Sequence, residues 1–150
     1  MTREILFKAK RLDNGEWVEG NIVDVPEDAD FMPGAYILPR LVSARADPPT
    51  KGIMLGGFFE VDPSTVCEYT GLTDKNGKKI FEGDVCLCPY IDPIFLAPWS
   101  EENSEKCKVS FERGAFIVEY EEKANILLSA LSEKIEIIGS IHDGEGGQHE

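Results

Sequence analysis

The chain reverses direction three times within residues 60–85, and this density of turns constrains the fold more than any other feature. Asp62-Pro63 marks a turn or a helix start, because proline fixes its own φ and biases the preceding residue toward extended geometry. Asn76-Gly77 is the strongest short-range hairpin signal, since both residues tolerate the positive φ of a tight loop. Glu82-Gly83-Asp84 then turns the chain into a strand that begins at Val85. The segment therefore predicts short strands joined by tight turns.

Two further hairpins are predicted on either side of this segment. Residues 3–25 alternate in polarity, which is the period of a strand, and reverse at Asp13-Asn14-Gly15. Residues 108–120 show the same alternation around Arg113-Gly114. Residues 136–141 are apolar enough to form a closing strand. Strand signals thus extend over both ends of the chain.

A short helix is predicted near the C-terminus. Asn125 can cap a helix over 126–133, in which Leu127, Leu128 and Leu131 share one face. Many short strands, frequent Gly, Pro and Asn turns and a single short helix favour a mainly β body. The predicted fold class is therefore mainly β, with hairpins in a barrel-like or sandwich body.

The length of 150 residues predicts one domain, over residues 1–142. A chain of this size buries roughly 68–70% of its unfolded surface, so it needs no disulfide or metal to fold. Two segments broken by proline, 26–57 and 89–106, are predicted as irregular insertions. The Gly-rich, polar tail 143–150 is predicted to be disordered.

The charge of the chain excludes one broad class of function. The sequence has 28 acidic and 15 basic residues, for a net charge of −13. Such a surface repels phosphate backbones, so general nucleic-acid binding is not expected. A solvated acidic surface that keeps the protein soluble is the preferred explanation. An acidic DNA mimic is an alternative that requires carboxylates in rows on one face.

Neither a membrane span nor an export signal is expected. No apolar run approaches the ~20 residues that cross a bilayer. Residues 1–8 lack the apolar core and the small-residue cleavage site of a signal peptide. We therefore expect no membrane association and a cytoplasmic location.

The four cysteines, Cys67, Cys86, Cys88 and Cys107, are predicted to be buried and free. Without an export signal a disulfide framework is not expected. Cys86 and Cys88 point to the same face of a strand, and Cys107 is a candidate for the neighbouring strand. A zinc site usually shows a C-x₂₋₄-C knuckle and a second pair, and neither occurs. We therefore expect small hydrophobic side chains, no metal and no cofactor.

The acidic turn residues were considered as sites and given a structural interpretation. A calcium loop around Asn76-Gly77 would place Leu72 and Gly83 where ligands are mandatory, so that hypothesis fails. Glu82 and Asp84 are candidates for paired carboxylates, which acid–base chemistry needs at a defined separation with pKa values pushed apart. Turn carboxylates more often accept backbone N–H bonds. The sequence therefore predicts no catalytic residue.

The order of the turn motifs resembles a known family. Tyr69-Thr-Gly-Leu72, Asp74-x-Asn76-Gly77 and Glu82-Gly-Asp84 follow one another as in the YopX-like proteins of phages and prophages. The N-terminal pattern that includes Trp17-Val-Glu-Gly20 and the ending Ile137-Ile-Gly-Ser-Ile141 are similar too. In that family a tryptophan often follows the N-terminal alanine, where this chain has lysine. The resemblance implies a mainly β fold and a protein without an assigned reaction that acts in the host cytoplasm.

The first functional hypothesis is a non-enzymatic phage or prophage accessory protein that binds protein, either itself or a host factor. The alternatives are a small hydrolase or nucleotide-binding enzyme that uses acids near 82–84, and the DNA mimic. Phe95, Trp99 and Met54 are the candidate contact residues for self-association, because exposed apolar and aromatic patches mark interfaces. This hypothesis predicts a homo-oligomer. In the other interpretation the same residues fold back and are buried internally.

Overall fold

A computed structural model of the chain describes residues 3–30, 32–39, 58–90, 100–120 and 125–143. The chain divides into two compact units, which are described separately. Unit 1 comprises Met1–Glu4 and Tyr69–Glu145, and unit 2 comprises Ile5–Glu68 and Gly146–Glu150. The prediction of a single domain over 1–142 stays a prediction.

The described residues form eleven strands, one short α-helix and two short 3₁₀ turns. The strands are β1 (Phe7–Lys10), β2 (Trp17–Val25), β3 (Gly34–Pro39), β4 (Phe59–Val61), β5 (Cys67–Thr73), β6 (Lys79–Phe81), β7 (Asp84–Tyr90), β8 (Ser100–Glu112), β9 (Ala115–Glu119), β10 (Asn125–Leu127) and β11 (Glu136–Ser140). The helix α1 spans Leu128–Leu131, and the 3₁₀ turns span Pro63–Thr65 and Ser132–Lys134.

Unit 2 is an antiparallel sheet in the order β4-β3-β2-β1-β5. Its core consists of Ala9, Ala35, Ile37 and Val61. Gly20 lies where β2 passes close to β3, because a Cβ on Gly20 would meet the carbonyl oxygen of Leu38 at 2.0 Å. A side chain at this position would therefore push the two strands apart.

The far edge of this sheet bonds back to the end of β1. The N–H of Leu12 donates to the carbonyl of Glu60 at 3.0 Å, and the N–H of Asp62 donates to the carbonyl of Lys10 at 2.9 Å. Arg11 forms an antiparallel bridge with Val61. The sheet of unit 2 is therefore curled on itself.

Unit 1 is built on a second antiparallel sheet in the order β10-β9-β8-β7-β11. The β5–β6 hairpin, which turns at Asn76-Gly77, also belongs to this unit. One face of the sheet carries the larger core of the chain, which consists of Ile80, Cys86, Cys88, Cys107, Val109, Val118, Tyr120, Leu128, Leu131, Ile135 and Ile137. The first two leucines of the predicted helical face that are buried are thus Leu128 and Leu131.

The predicted fold class is confirmed, since the chain is mainly β with two antiparallel sheets and one short helix. Among the described strands neither sheet closes a complete barrel. Of the two predicted body types, the closed barrel is therefore not the one observed.

The predicted helix is shorter than expected, and its cap is wrong. Residues 125–127 form strand β10, and Asn125 does not cap α1. The reason is the long-range pairing of Ile126 with Val118 and of Leu127 with Ile117, which supplies backbone hydrogen bonds to a β-branched segment. Leu127 consequently leaves the predicted buried face and is 54% exposed.

Strands also enter the two predicted insertions. Within 26–57 the strand β3 occupies Gly34–Pro39. Within 89–106 the strand β7 reaches Tyr90 and β8 already begins at Ser100, where the two residues pair. Pairing along β7 satisfies the backbone of this polar segment, which is why its composition alone suggested an irregular loop. Residues 144–150 of the predicted disordered tail lie outside the described residues.

Candidate functional site

The carboxylate of Asp74 ties the β5–β6 hairpin to strand β11. Its Oδ1 accepts hydrogen bonds from the N–H groups of Asn76 at 2.8 Å and Lys78 at 2.9 Å. Its Oδ2 accepts from the N–H of Ile137 at 2.9 Å. Burial raises the pKa of Asp74, but these three donors together outweigh it and hold the pKa below its ordinary value of 3.8. Asp74 is therefore an ionised structural residue.

The Glu82-Gly83-Asp84 turn is also held by the fold. Asp84 is 1% exposed, and its Oδ2 accepts from the N–H of Phe81 at 2.8 Å. The N–H of Gly83 donates to Val109 at 2.7 Å, and its carbonyl accepts from Ile141 at 2.8 Å. Glu82 is half-buried. Asp84 thus occupies the turn position that the preferred interpretation gave it.

The cysteines are all free and buried, as predicted. Cys86 and Cys107 lie opposite each other on β7 and β8, which confirms the expectation of neighbouring strands. The sulfur atoms of Cys86 and Cys88 are 3.4 Å apart. A hydrogen bond with Cys107 lowers the pKa of Cys88, but the hydrogen bond with Cys86 and burial raise it by more, to about 12. Because the thiolate is both the nucleophile and the metal ligand, these thiols pack as small hydrophobic groups.

The predicted absence of a metal was compared with the geometry. Within the described ranges, no group of three or more His, Cys, Asp or Glu side chains is arranged to hold a metal ion. In unit 2 the Cys67 thiol donates to the carbonyl of Thr65 at 3.2 Å. The polar atoms of this region are thus used in local structure.

The outer face of strands β8, β9 and β10 offers a different kind of site. The strand register places Ser110 opposite Ile117, and Ile117 opposite Leu127, on the face away from the core residues Val109 and Val118. A shallow depression of about 440 Å³ opens on this face. It is lined by Glu112, Arg113, Ala115, Ile117, Asn125 and Leu127. We call this region the β8–β10 surface.

The β8–β10 surface is mostly apolar and accessible. Leu127 is 54% exposed, and Ile117 forms part of the floor at 8% exposure. Glu112 and Arg113 are exposed at the hairpin tip, where Arg113 and Gly114 both take positive φ, of 52° and 80°. A tight turn of that kind matches the right-handed twist of the strands. The surface is therefore a rigid apolar depression with a charged rim.

The two edges of this sheet differ. At the β11 edge the hairpin tip supplies bonds, since the N–H of Ile137 donates to Asp74 and the carbonyl of Ile135 accepts from the N–H of Lys75 at 3.0 Å. At the other edge, β10 pairs with β9 and with no other described strand. One edge is thus covered by the signature residues, and the edge beside the β8–β10 surface is open.

The predicted contact residues Phe95, Trp99 and Met54 lie outside the described residues, so self-association through them stays a prediction. Leu127 is a candidate that sequence reasoning missed, because it was assigned to the buried face of a helix. The available signal was Asn125-Ile126-Leu127 following a hairpin, which also fits a third antiparallel strand.

The fold and these turns define a class of protein: a mainly β protein whose closely spaced turn motifs are built into its structure. The chain belongs to the YopX protein family, whose family model matches residues 7–145. This confirms the resemblance inferred from the turn motifs.

One solved structure shares the fold. Protein EF1440 from Enterococcus faecalis is similar to this chain with a TM-score of 0.51 and 21% sequence identity, over 95% of this chain and 96% of that chain. No curated protein matches the chain. In the part of the chain that the structure describes, no helix is long and apolar enough to cross a membrane.

Proposed function

We propose that this protein is a non-enzymatic accessory protein of a phage or prophage that acts in the host cytoplasm by binding another protein chain. The β8–β10 surface is the proposed contact. The observation that carries the proposal is the position of Leu127, which is 54% exposed on an open strand beside an apolar depression. Exposed apolar groups with a polar rim are typical of protein contacts. The phage setting comes from the family resemblance.

The enzyme alternative has less support. A small hydrolase or nucleotide-binding enzyme would need two carboxylates presented together at a solvent-facing site. Asp84 is 1% exposed and accepts a backbone hydrogen bond from Phe81. Asp74 is 5% exposed and accepts three. These acids contribute to folding in positions where a substrate would have to displace backbone donors.

The DNA-mimic alternative rests on the net charge of −13 alone. Any well-solvated acidic surface shares that property. We therefore retain protein binding as the proposed function.

A site-specific photocrosslinker tests the proposal. Benzoylphenylalanine is introduced at Leu127, and in a matched control at Leu12, which is equally exposed at 56% but lies in unit 2. Cells of the natural source that make either variant are irradiated, and adducts are resolved by mass. We expect one discrete protein adduct from position 127 and none from position 12. No adduct at 127, or the same adducts at both positions, would contradict the proposal.

A further inference from the structure

We infer that the β10 edge binds an extended, basic segment of a partner protein, which adds to the unit 1 sheet as a further strand. This inference rests on the proposed function and specifies its binding mode and the chemistry of its partner. Three observations carry it: the difference between the two sheet edges, the position of the depression, and the charge of the chain.

An exposed sheet edge presents unpaired N–H and C=O groups, and proteins commonly cover such edges. Here the β11 edge is covered, because Asp74 and the backbone of Lys75 bond to Ile137 and Ile135. At the opposite edge the described structure pairs β10 with β9 alone. The fold protects one edge and leaves the other available for backbone hydrogen bonds.

The depression lies where the side chains of an added strand would fall. In strand addition, main-chain bonds supply affinity, and pockets for alternate side chains supply specificity. Leu127 lies on the open strand itself, and Ile117 and Ala115 line the adjoining strand on the same face. An added strand would place every second side chain over this apolar lining, since strand side chains alternate between faces. Alternate residues of the partner segment are therefore apolar.

The charge of the chain selects the remaining residues of the segment. At a net charge of −13, the chain attracts basic segments and repels acidic ones. Glu112 is exposed at the rim, and Glu119, which pairs with Lys108 at 3.2 Å, lies on the same face. A second copy of the chain would bring the same net charge to the contact, so we assign the edge to a basic partner.

Synthetic peptides test this inference directly. The first peptide has eight residues that alternate valine and lysine, and the second replaces every lysine by glutamate. A third and a fourth carry N-methyl groups on alternate residues of the first, in the two possible phases, so that one of them cannot bond to β10. Amide hydrogen exchange of the full chain is measured by NMR with each peptide. We expect the lysine peptide to slow exchange of the outward-facing β10 amides about tenfold or more at saturation.

Matched variants locate the site. Leu127→Glu should weaken binding of the lysine peptide about tenfold, because it removes an apolar contact at the edge. Leu12→Glu should leave binding unchanged. Both side chains are exposed, so neither change is expected to unfold the protein, which the exchange spectra check in the same experiment.

Each outcome separates this inference from the function on which it rests. Equal protection by the glutamate peptide, or by both N-methylated peptides, would overturn the basic strand. Protection of β10 that grows with protein concentration alone would assign the edge to a second copy instead. No protection by any peptide, together with a crosslink at position 127, would overturn strand addition but leave protein binding standing. Failure of both experiments would remove the proposed function as well.

Discussion

The carboxylate of Asp74 lies 2.9 Å from the backbone nitrogen of Ile137, which follows it by 63 positions in the sequence. The same carboxylate bonds to Asn76 and Lys78 within its own turn. The Asp-x-Asn-Gly motif therefore does more than form a hairpin, because its first residue also covers the edge strand β11. Asp84 has a comparable local role in the next turn. The motifs that identify the family are explained by the structure of unit 1.

Asp74→Asn should destabilise the protein. An amide offers one acceptor oxygen and turns two N–H donors toward a site that supplies only donors, so at least one buried N–H loses its partner. We expect a loss of about 1–3 kcal/mol in the free energy of unfolding, measured by urea titration. Asp13→Asn is the control, since Asp13 is exposed and pairs with Arg11 at the surface. Equal unfolding midpoints for the two variants would contradict the role of Asp74.

The contribution of Asp74 should depend on pH. Its pKa is lowered on folding from 3.8, so the folded state favours the ionised form. Its stabilisation is therefore complete above the unfolded value of 3.8 and is lost as the pH falls through the lower folded value. The difference in unfolding free energy between the wild type and Asp74→Asn should stay constant from pH 7 to about pH 5 and shrink below about pH 4. A difference that grows on acidification would contradict the sign of the shift.

Gly77→Val should destabilise the hairpin through its backbone alone. Gly77 has a φ of 80°, and an added Cβ would meet no atom within 4 Å. The cost of forcing a β-branched residue into this conformation is on the order of 1–3 kcal/mol. Gly77→Asn serves as the control, because asparagine tolerates positive φ far better. Thermal unfolding would refute the assignment if the valine variant melted at the wild-type temperature.

The cysteines should be unreactive in the native protein. At pH 8 a pKa of about 12 leaves roughly one Cys88 thiol in ten thousand ionised, and all four thiols are buried. An aromatic disulfide reagent should therefore label four thiols quickly in urea and label the folded chain far more slowly. Rapid, stoichiometric labelling of native Cys86 or Cys88 would show that the cluster is accessible and activated.

Local signals explain what the sequence predicted correctly. Asn76-Gly77 and Arg113-Gly114 determine turn geometry within a few residues, so both hairpins could be recognised without tertiary information. The alternation of Cys86 and Cys88 with larger neighbours likewise predicted their common buried face. Such features depend on short-range sterics and on the strand period.

Long-range partners explain what the sequence did not predict. Ile126 and Leu127 were assigned to a helix, because leucine spacing fitted one and their pairing with β9 cannot be seen in a local window. The bond from Ile137 to Asp74 was missed for the same reason. The β8–β10 surface depends on both errors, since it exists only where Leu127 is an exposed strand residue beside an open edge.

Amide hydrogen exchange of the free protein tests the central claim that one edge of the unit 1 sheet is covered and the other is open. The Ile137 amide, bonded to Asp74, should exchange at least about a hundredfold more slowly than the β10 amides that do not bond to β9. Asp74→Asn should remove most of that protection at Ile137 and leave β10 unchanged. Equal protection at Ile137 and at all three β10 amides in the free monomer would contradict the account.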